Sequence, residues 1–154
     1  GIVPQTIVPN ADVTKSDERV SGTNSGVDLT TDIGWYIDFP DSGERQNVAS
    51  QLVLGTLLLP TTVPTGSACQ PSGYGWFNYL NYKTGLSVIA PFGSVSKRTS
   101  APSVGFNVVY VNGKPVVSNV TADDPNPTIV DSIGFLNGAG GFNVRRSIWR
   151  ELIE

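Results

Sequence analysis

The sequence contains no histidine, no methionine and a single cysteine, Cys69. Without histidine it lacks the side chain that most often serves as general base or metal ligand. One cysteine excludes a disulfide within the chain and a CxxC zinc site. Charged residues make up only 15% of the 154, with 10 Lys and Arg against 13 Asp and Glu and a formal net charge of −3. No basic cluster stands out, which argues against a nucleic-acid groove and against a polybasic membrane patch. No apolar run reaches the roughly 20 residues of a membrane-spanning helix. The longest, LVLGTLLLP at 52–60, reads as a buried strand. No signal peptide is recognisable. With no initiating methionine, the chain reads as a processed product or an excised segment.

What is present is turn chemistry and strand residues. There are 17 Gly and 11 Pro, while 39% of residues are hydrophobic, enough for a core and against disorder. Residues 1–33 read as a loop-rich N-terminal segment, with an edge strand at 1–8 and a long polar loop over 11–32. From Gly34 the strand signals sharpen. WYIDF (35–39) is a strand and Pro40-Asp41-Ser42-Gly43 a turn. SQLVLGTLLL (50–59) is a strand pair, or one strand with a Gly bulge. The Pro- and Gly-rich stretch 60–75 predicts a loop, WFNYLNY (76–82) a strand, Lys83-Thr84-Gly85 a turn, and LSVIAPFG (86–93) another strand. Asn112-Gly113 within 105–120 predicts a type I′ hairpin. TADDPNPT (121–128) reads as a polar loop and 129–138 as a strand and turn. Residues 143–154 fit either a final strand or one short helix. The class is all-β and antiparallel.

Trp35 and Trp76 lie 41 residues apart, each after a Gly and before an aromatic residue. Blades of β-propellers repeat at about 40–45 residues, with four strands each. The spacing predicts propeller-like blades over 34–154, with both tryptophans largely buried in equivalent places. The alternative is a β-sandwich.

GYGWFNYLNYKTG (73–85) resembles the strand-turn unit of quinoprotein-type propellers, with Asn81-Tyr82-Lys83-Thr84-Gly85 as its turn. A wider set of residues comprises Gly34-Trp35-Tyr36, Asp38, Ser42-Gly43-Glu44-Arg45, LLLPTTVPT, Cys69 and Gly75-Trp76. Together with the tail RRSIWREL (145–152), it resembles the C-terminal propeller of the PilC/PilY family of type IV pilus tip-associated proteins. The likeness covers roughly 33–154. It implies a partial quinoprotein-type propeller, the last blades of a larger protein. It also implies a location in the periplasm, on the outer surface or at the pilus tip of a Gram-negative bacterium, and roles in pilus biogenesis and adhesion. The chain departs from the family in size, holding at most three to four blades at about 40–45 residues each. It also carries no D-x-[DN]-x-[DN]-G calcium loop.

Several residues are candidates for chemistry. Trp35, Trp76, Tyr36, Tyr79 and Tyr82 would suit a sugar- or peptide-binding platform, although large rings in all-β proteins mostly pack in cores. By strand alternation, Tyr36 and Tyr82 are the surface candidates for partner binding. Asp38, Glu44 and Arg45 have the makings of a carboxylate pair with a cation, but a turn ion pair explains them without catalysis. Asp123, Asp124 and Asp131 carry the right oxygens for a hard cation, at a spacing that matches no motif. Cys69 has no His to activate it and, in an oxidising compartment, would pair outside this segment or stay free. Arg145, Arg146 and Arg150 are too few for a nucleic-acid site. Asn119-Val120-Thr121 fits a glycosylation sequon that carries no weight in a bacterial protein.

The sequence therefore reads as a non-enzymatic surface and assembly module, with no catalytic, metal or cofactor residues assigned. Its expected partners are pilus subunits or the remainder of a parent protein, together with a host-surface ligand; nucleic acid and a membrane span are not expected. The rival readings are a structural subunit assembling through strand edges, or a fragment of a quinoprotein-type propeller enzyme.

Overall fold

A computed structural model describes residues 1–67 and 69–136. These residues form β1 (Ile2–Gln5), β2 (Ile7–Pro9), a 3-10 turn (Val13–Lys15), β3 (Glu18–Ser21), β4 (Gly34–Ile37), β5 (Gln51–Val53), β6 (Thr56–Ser67), β7 (Gln70–Asn81), β8 (Ser94–Thr99), β9 (Ser103–Val111), β10 (Lys114–Thr121) and β11 (Asp124–Ile129). No α-helix occurs among the described residues. The all-β class holds. Six strands in the order β2-β3-β8-β7-β6-β5 make a sheet that curls into a half-barrel. A second sheet has the order β11-β10-β9, and β1 pairs with β4. Every pairing is antiparallel except β1–β4.

Alternation along β7 decides what covers the six-stranded sheet, because successive side chains point to opposite faces. Phe77 and Tyr79 point one way. They join Val53, Leu58 and Val117 in a core closed by Phe106, Val108, Val130, Ile133 and Phe135. The rings of Phe77 and Phe106 meet edge to face, 5.2 Å between centroids. On this side two sheets stack. Leu80 points the other way, into a smaller core with Ile7 and Val95 onto which Trp35 and Ile37 of β4 pack. Both faces of the sheet are thereby covered.

The structure corrects several expectations, mostly for reasons of turn chemistry. The stretch 60–75 is not a loop. It forms the outer part of a long hairpin in which β6 and β7 pair without a break from Thr56↔Asn81 to Ser67↔Gln70. Thr62 donates its N–H away from β7, to the Arg45 carbonyl. Pro60 and Pro64 share that parity, so neither removes a bond from the β6–β7 ladder. The stretch 121–128 is likewise not a loop. A tight turn leads into β11, where Pro125 and Pro127 sit on an edge strand. The polar stretch 11–32 contains β3, which pairs with β2 and β8 inside the largest sheet. Conversely, 86–93 is irregular and not a strand. Phe92 takes a φ of 56°, and β8 begins only at Ser94. Ile129 ends β11, and residues 130–135 form no strand. The terminal strand or helix at 143–154 lies outside the described residues.

The repeat expectation also changes. The described residues form sheets of six, three and two strands and no row of four-stranded units. Trp76 lies mid-sheet and is buried, whereas Trp35 lies in the β1–β4 pair and is half-buried. The two tryptophans do not occupy equivalent places.

Two hairpins have two-residue tips with both residues at positive φ, as type I′ turns require. Asn112 and Gly113 (φ 51° and 75°) join β9 to β10 as expected, and Leu54 and Gly55 (φ 49° and 77°) join β5 to β6. The pair reading of 50–59 is therefore the right one. No atom lies within 4 Å of where a Cβ on Gly113 would stand, so a side chain there meets backbone strain alone. Gly113→Val should lower stability by about 1–3 kcal/mol. An unchanged urea midpoint would contradict this turn.

Candidate functional site

The two tryptophan-bearing stretches are parts of one contact. The backbone around 81–85 folds into a turn because Asn81 accepts from three amides: its carbonyl from Thr84 and Gly85, its side chain from Lys83. Gly85 takes a φ of 70°, and a Cβ on it would stand 2.5 Å from Cε3 of Trp35. Only glycine lets the Trp35 ring lie this close. Trp35 Nε1 then donates to the Tyr82 carbonyl at 2.9 Å. The strand carrying Tyr36 is thus tied to the residue Tyr82, and both tyrosines present their rings at the surface, 48% and 42% exposed. Lys83 Nζ lies 5.7 Å from the Tyr82 ring centroid. Beside Tyr82 is a hollow of about 290 Å³ lined by Leu52, Gly55, Lys83 and Leu136, with Leu52 and Leu136 exposed. Tyr79, by contrast, is buried against Ser94 (Oη to Oγ 2.6 Å), and burial pushes its hydroxyl up to about 12. It belongs to the core and to no platform.

On the Trp76 face lies a buried charge cluster that sequence reasoning missed. The Arg19 guanidinium from β3 stacks on the Trp76 ring, 3.8 Å to the centroid. It donates twice to Glu44, Nη1 to Oε1 at 3.0 Å and Nη2 to Oε2 at 2.9 Å, and Nη2 lies 2.7 Å from Asp41 Oδ2. The side chains of Arg19 and Glu44 are essentially out of solvent, at 2% and 0% exposure. Thr61 Oγ1 donates to Glu44, Asn78 Nδ2 donates to Thr61, and Ser96 donates to Asn78 Oδ1. Tyr74 Oη and Trp76 Nε1 both donate to Asp41 Oδ2, at 2.7 and 2.9 Å. No buried side-chain polar atom among the described residues lacks a partner. Glu44 is therefore not paired with Arg45, whose backbone bridges to Thr62. Among the described residues, Asp38 joins no ion pair.

The cluster's arrangement is that of a closed, satisfied anchor. Burial pushes the Asp41 carboxyl up, but hydrogen bonds from Tyr74 and Trp76 and the Arg19 charge outweigh it, and its pKa lies below the ordinary carboxylate value. Its proton is lost early and the group stays an acceptor.

The acidic candidates Asp123, Asp124 and Asp131 do come together. They line a cavity of about 300 Å³ between the two larger sheets, with Lys97 and Thr128. Asp123 accepts with both oxygens, from Thr121 and Ser100, while Asp124 and Asp131 accept with one each, from Asn126 and Ser132. Among the described residues no group of three His, Cys, Asp or Glu side chains is placed to hold a metal ion. Lys97 itself is committed to Asp17, Nζ to Oδ2 at 2.6 Å, and that bond raises its pKa. Cys69 is free and exposed at the tip of the β6–β7 hairpin. Arg145, Arg146 and Arg150 lie outside the described residues. Among the described residues no helix is long and apolar enough to cross a membrane. Comparison of the chain with protein-family models, with curated proteins and with solved structures finds no match.

The cluster generates two predictions. Arg19→Ala strands Glu44 as an uncompensated buried carboxylate and should cost about 3–5 kcal/mol; a loss well under 1 kcal/mol in urea unfolding would mean Glu44 finds other support. The second concerns acid. A carboxylate whose folded pKa is depressed stabilises fully above its unfolded pKa and loses that contribution as pH falls through the folded value. Asp41→Asn should therefore be less stable than the parent at neutral pH, and the gap should narrow below the ordinary carboxylate range. A gap that stays constant on acidification would rule Asp41 out as a contributor.

Proposed function

We propose that the chain is a non-enzymatic recognition and assembly module, acting in type IV pilus biogenesis and adhesion at the surface of a Gram-negative bacterium. One observation carries the recognition part. Trp35 ties the strand that carries the half-exposed Tyr36 to the turn that carries the half-exposed Tyr82, and Tyr82 borders a hollow lined by Leu52, Gly55, Lys83 and Leu136. An exposed tyrosine edged by exposed leucines offers large contact area at low entropic cost, as interface anchors do. Of the charged groups that would suggest catalysis, Glu44 is instead engaged by Arg19 and Thr61 in the buried cluster. The pilus part rests on the resemblance of residues 33–154 to PilC/PilY proteins. On this reading the half-barrel is one part of a larger parent protein.

The test uses purified type IV pili passed over the immobilised chain. Pili should be retained, and Tyr36→Ala with Tyr82→Ala should weaken retention by about tenfold or more without shifting the unfolding midpoint. Failure to retain pili, or retention indifferent to both substitutions, would sink the proposal. The intact mass of the native gene product tests the parent: a mass no larger than 16.3 kDa would exclude one.

A further inference from the structure

The free edges of the sheets are not treated alike. A strand edge is a row of unpaired backbone donors and acceptors, and proteins blunt such edges by shortening them or placing proline or charge there. In the six-stranded sheet the edge strands β2 and β5 have three residues each, and β2 ends in Pro9. In the three-stranded sheet the β11 edge carries Pro125 and Pro127. Val130 N donates to the Val117 carbonyl and Asn119 pairs with Thr128, so Pro127, of opposite parity, turns its missing donor outward; Pro125 lies where the register shifts. The other edge of that sheet is β9. It has nine residues, Ser103–Val111, with no proline and no charged side chain.

Its register identifies the free groups. A two-residue type I′ turn makes Val111↔Lys114 a hydrogen-bonded pair. Alternation then spends Gly105, Asn107, Val109 and Val111 on β10 and points the N–H and C=O of Phe106, Val108 and Tyr110 away from the sheet; the register shifts at Val104, where alternation stops. No backbone hydrogen bond among the described residues uses them. Val104 and Tyr110 are 59% and 54% exposed, and Val109 and Val111 on the opposite face are also exposed.

We propose that this edge pairs with the same edge of a second copy of the chain, antiparallel about a two-fold axis at Val108. Phe106 then faces the partner's Tyr110, and Val108 faces its own counterpart. All three are outward-pointing residues, as hydrogen-bonded pairs require. Aromatic against aromatic is a favourable cross-strand pair. A two-fold axis sets each residue of an edge against the same edge, where a charge would meet its own kind; β9 carries none. Two three-stranded sheets become one continuous sheet, and the exposed apolar ends of β9 are covered. The inference does not depend on the pilus reading.

The test is sedimentation of the 154-residue chain together with amide hydrogen exchange at high and low concentration. The expected result is a dimer that dissociates on dilution, with the Phe106, Val108 and Tyr110 amides protected only in the dimer. Tyr110→Pro removes one outward donor and leaves the β9–β10 ladder intact. It should raise the dissociation constant by about tenfold or more, because symmetry deletes the bond twice, while the monomer keeps its unfolding midpoint. A monomer at all concentrations overturns the proposal. So does concentration-independent protection of the three amides, which would assign the edge to another part of the same chain. A dimer with those amides unprotected, or one indifferent to Tyr110→Pro, places the interface elsewhere and also overturns it.

Discussion

The constraint on which the fold turns is the burial of one guanidinium. Arg19 comes from a polar stretch near the N-terminus, yet its side chain is almost wholly out of solvent. A buried charge costs several kcal/mol unless paired and hydrogen-bonded, so its neighbours are not free to vary in position. Two carboxylates must reach it, and they come from the turn at 41–44, which therefore folds down onto the sheet. The face of Trp76 must lie against it, which fixes how β3 sits relative to the centre of β7. Such a pair is weak evidence for net stability, since an apolar substitute of the same shape often does as well. What it imposes is location. Strands β3, β6, β7 and β8 and the turn at 41–44 are cross-referenced through one chain of hydrogen bonds running from Ser96 to Asp41.

A second contact does the same for the outlying pair β1–β4. Four-residue strands in a two-stranded sheet are marginal by themselves. Trp35 fastens them by seating on the turn that ends at Gly85, and Ile37 follows it into the core with Ile7, Leu80 and Val95. The residues singled out in the two tryptophan-bearing stretches divide along these lines. Glu44 and Trp76 belong to the Arg19 cluster, Trp35 and Gly85 to the seat, and Tyr36 and Tyr82 are carried outward by it.

This division explains what could be read in the sequence. The Asn112-Gly113 hairpin was legible because turn type depends on two adjacent residues whose φ preferences are intrinsic. The strand at 76–81 was legible by alternation, and so was the outward direction of Tyr36. Arg19 was not. Its partners lie at 41, 44 and 76, and nothing in Glu-Arg-Val-Ser distinguishes an arginine that will be buried from one that will be solvated. Proline misled at 60–75 and 121–128 because composition says that a donor is missing without saying which side of the strand it is missing from. The even spacing of Trp35 and Trp76 misled differently: it reflects two halves of neighbouring contacts and no structural repeat.

Once the registers are known, the same prolines become informative. Pro60 and Pro64 lie on β6 beyond the point where three-residue β5 has ended, and both turn toward the side that β5 no longer covers. Between them Thr62 is the one residue of that parity with an N–H, and it is taken by Arg45. Pro127 does the same for β11. In each case a proline costs the sheet nothing inward, since its ring replaces a donor that had no strand to bond. An outward proline and an outward unpaired amide are alternative states of an edge, and only the second invites another strand. Among the described residues the arrangement of prolines thus separates edges closed to pairing from β9, a long edge without proline, and it does so by a property of the backbone that side-chain chemistry alone would not reveal.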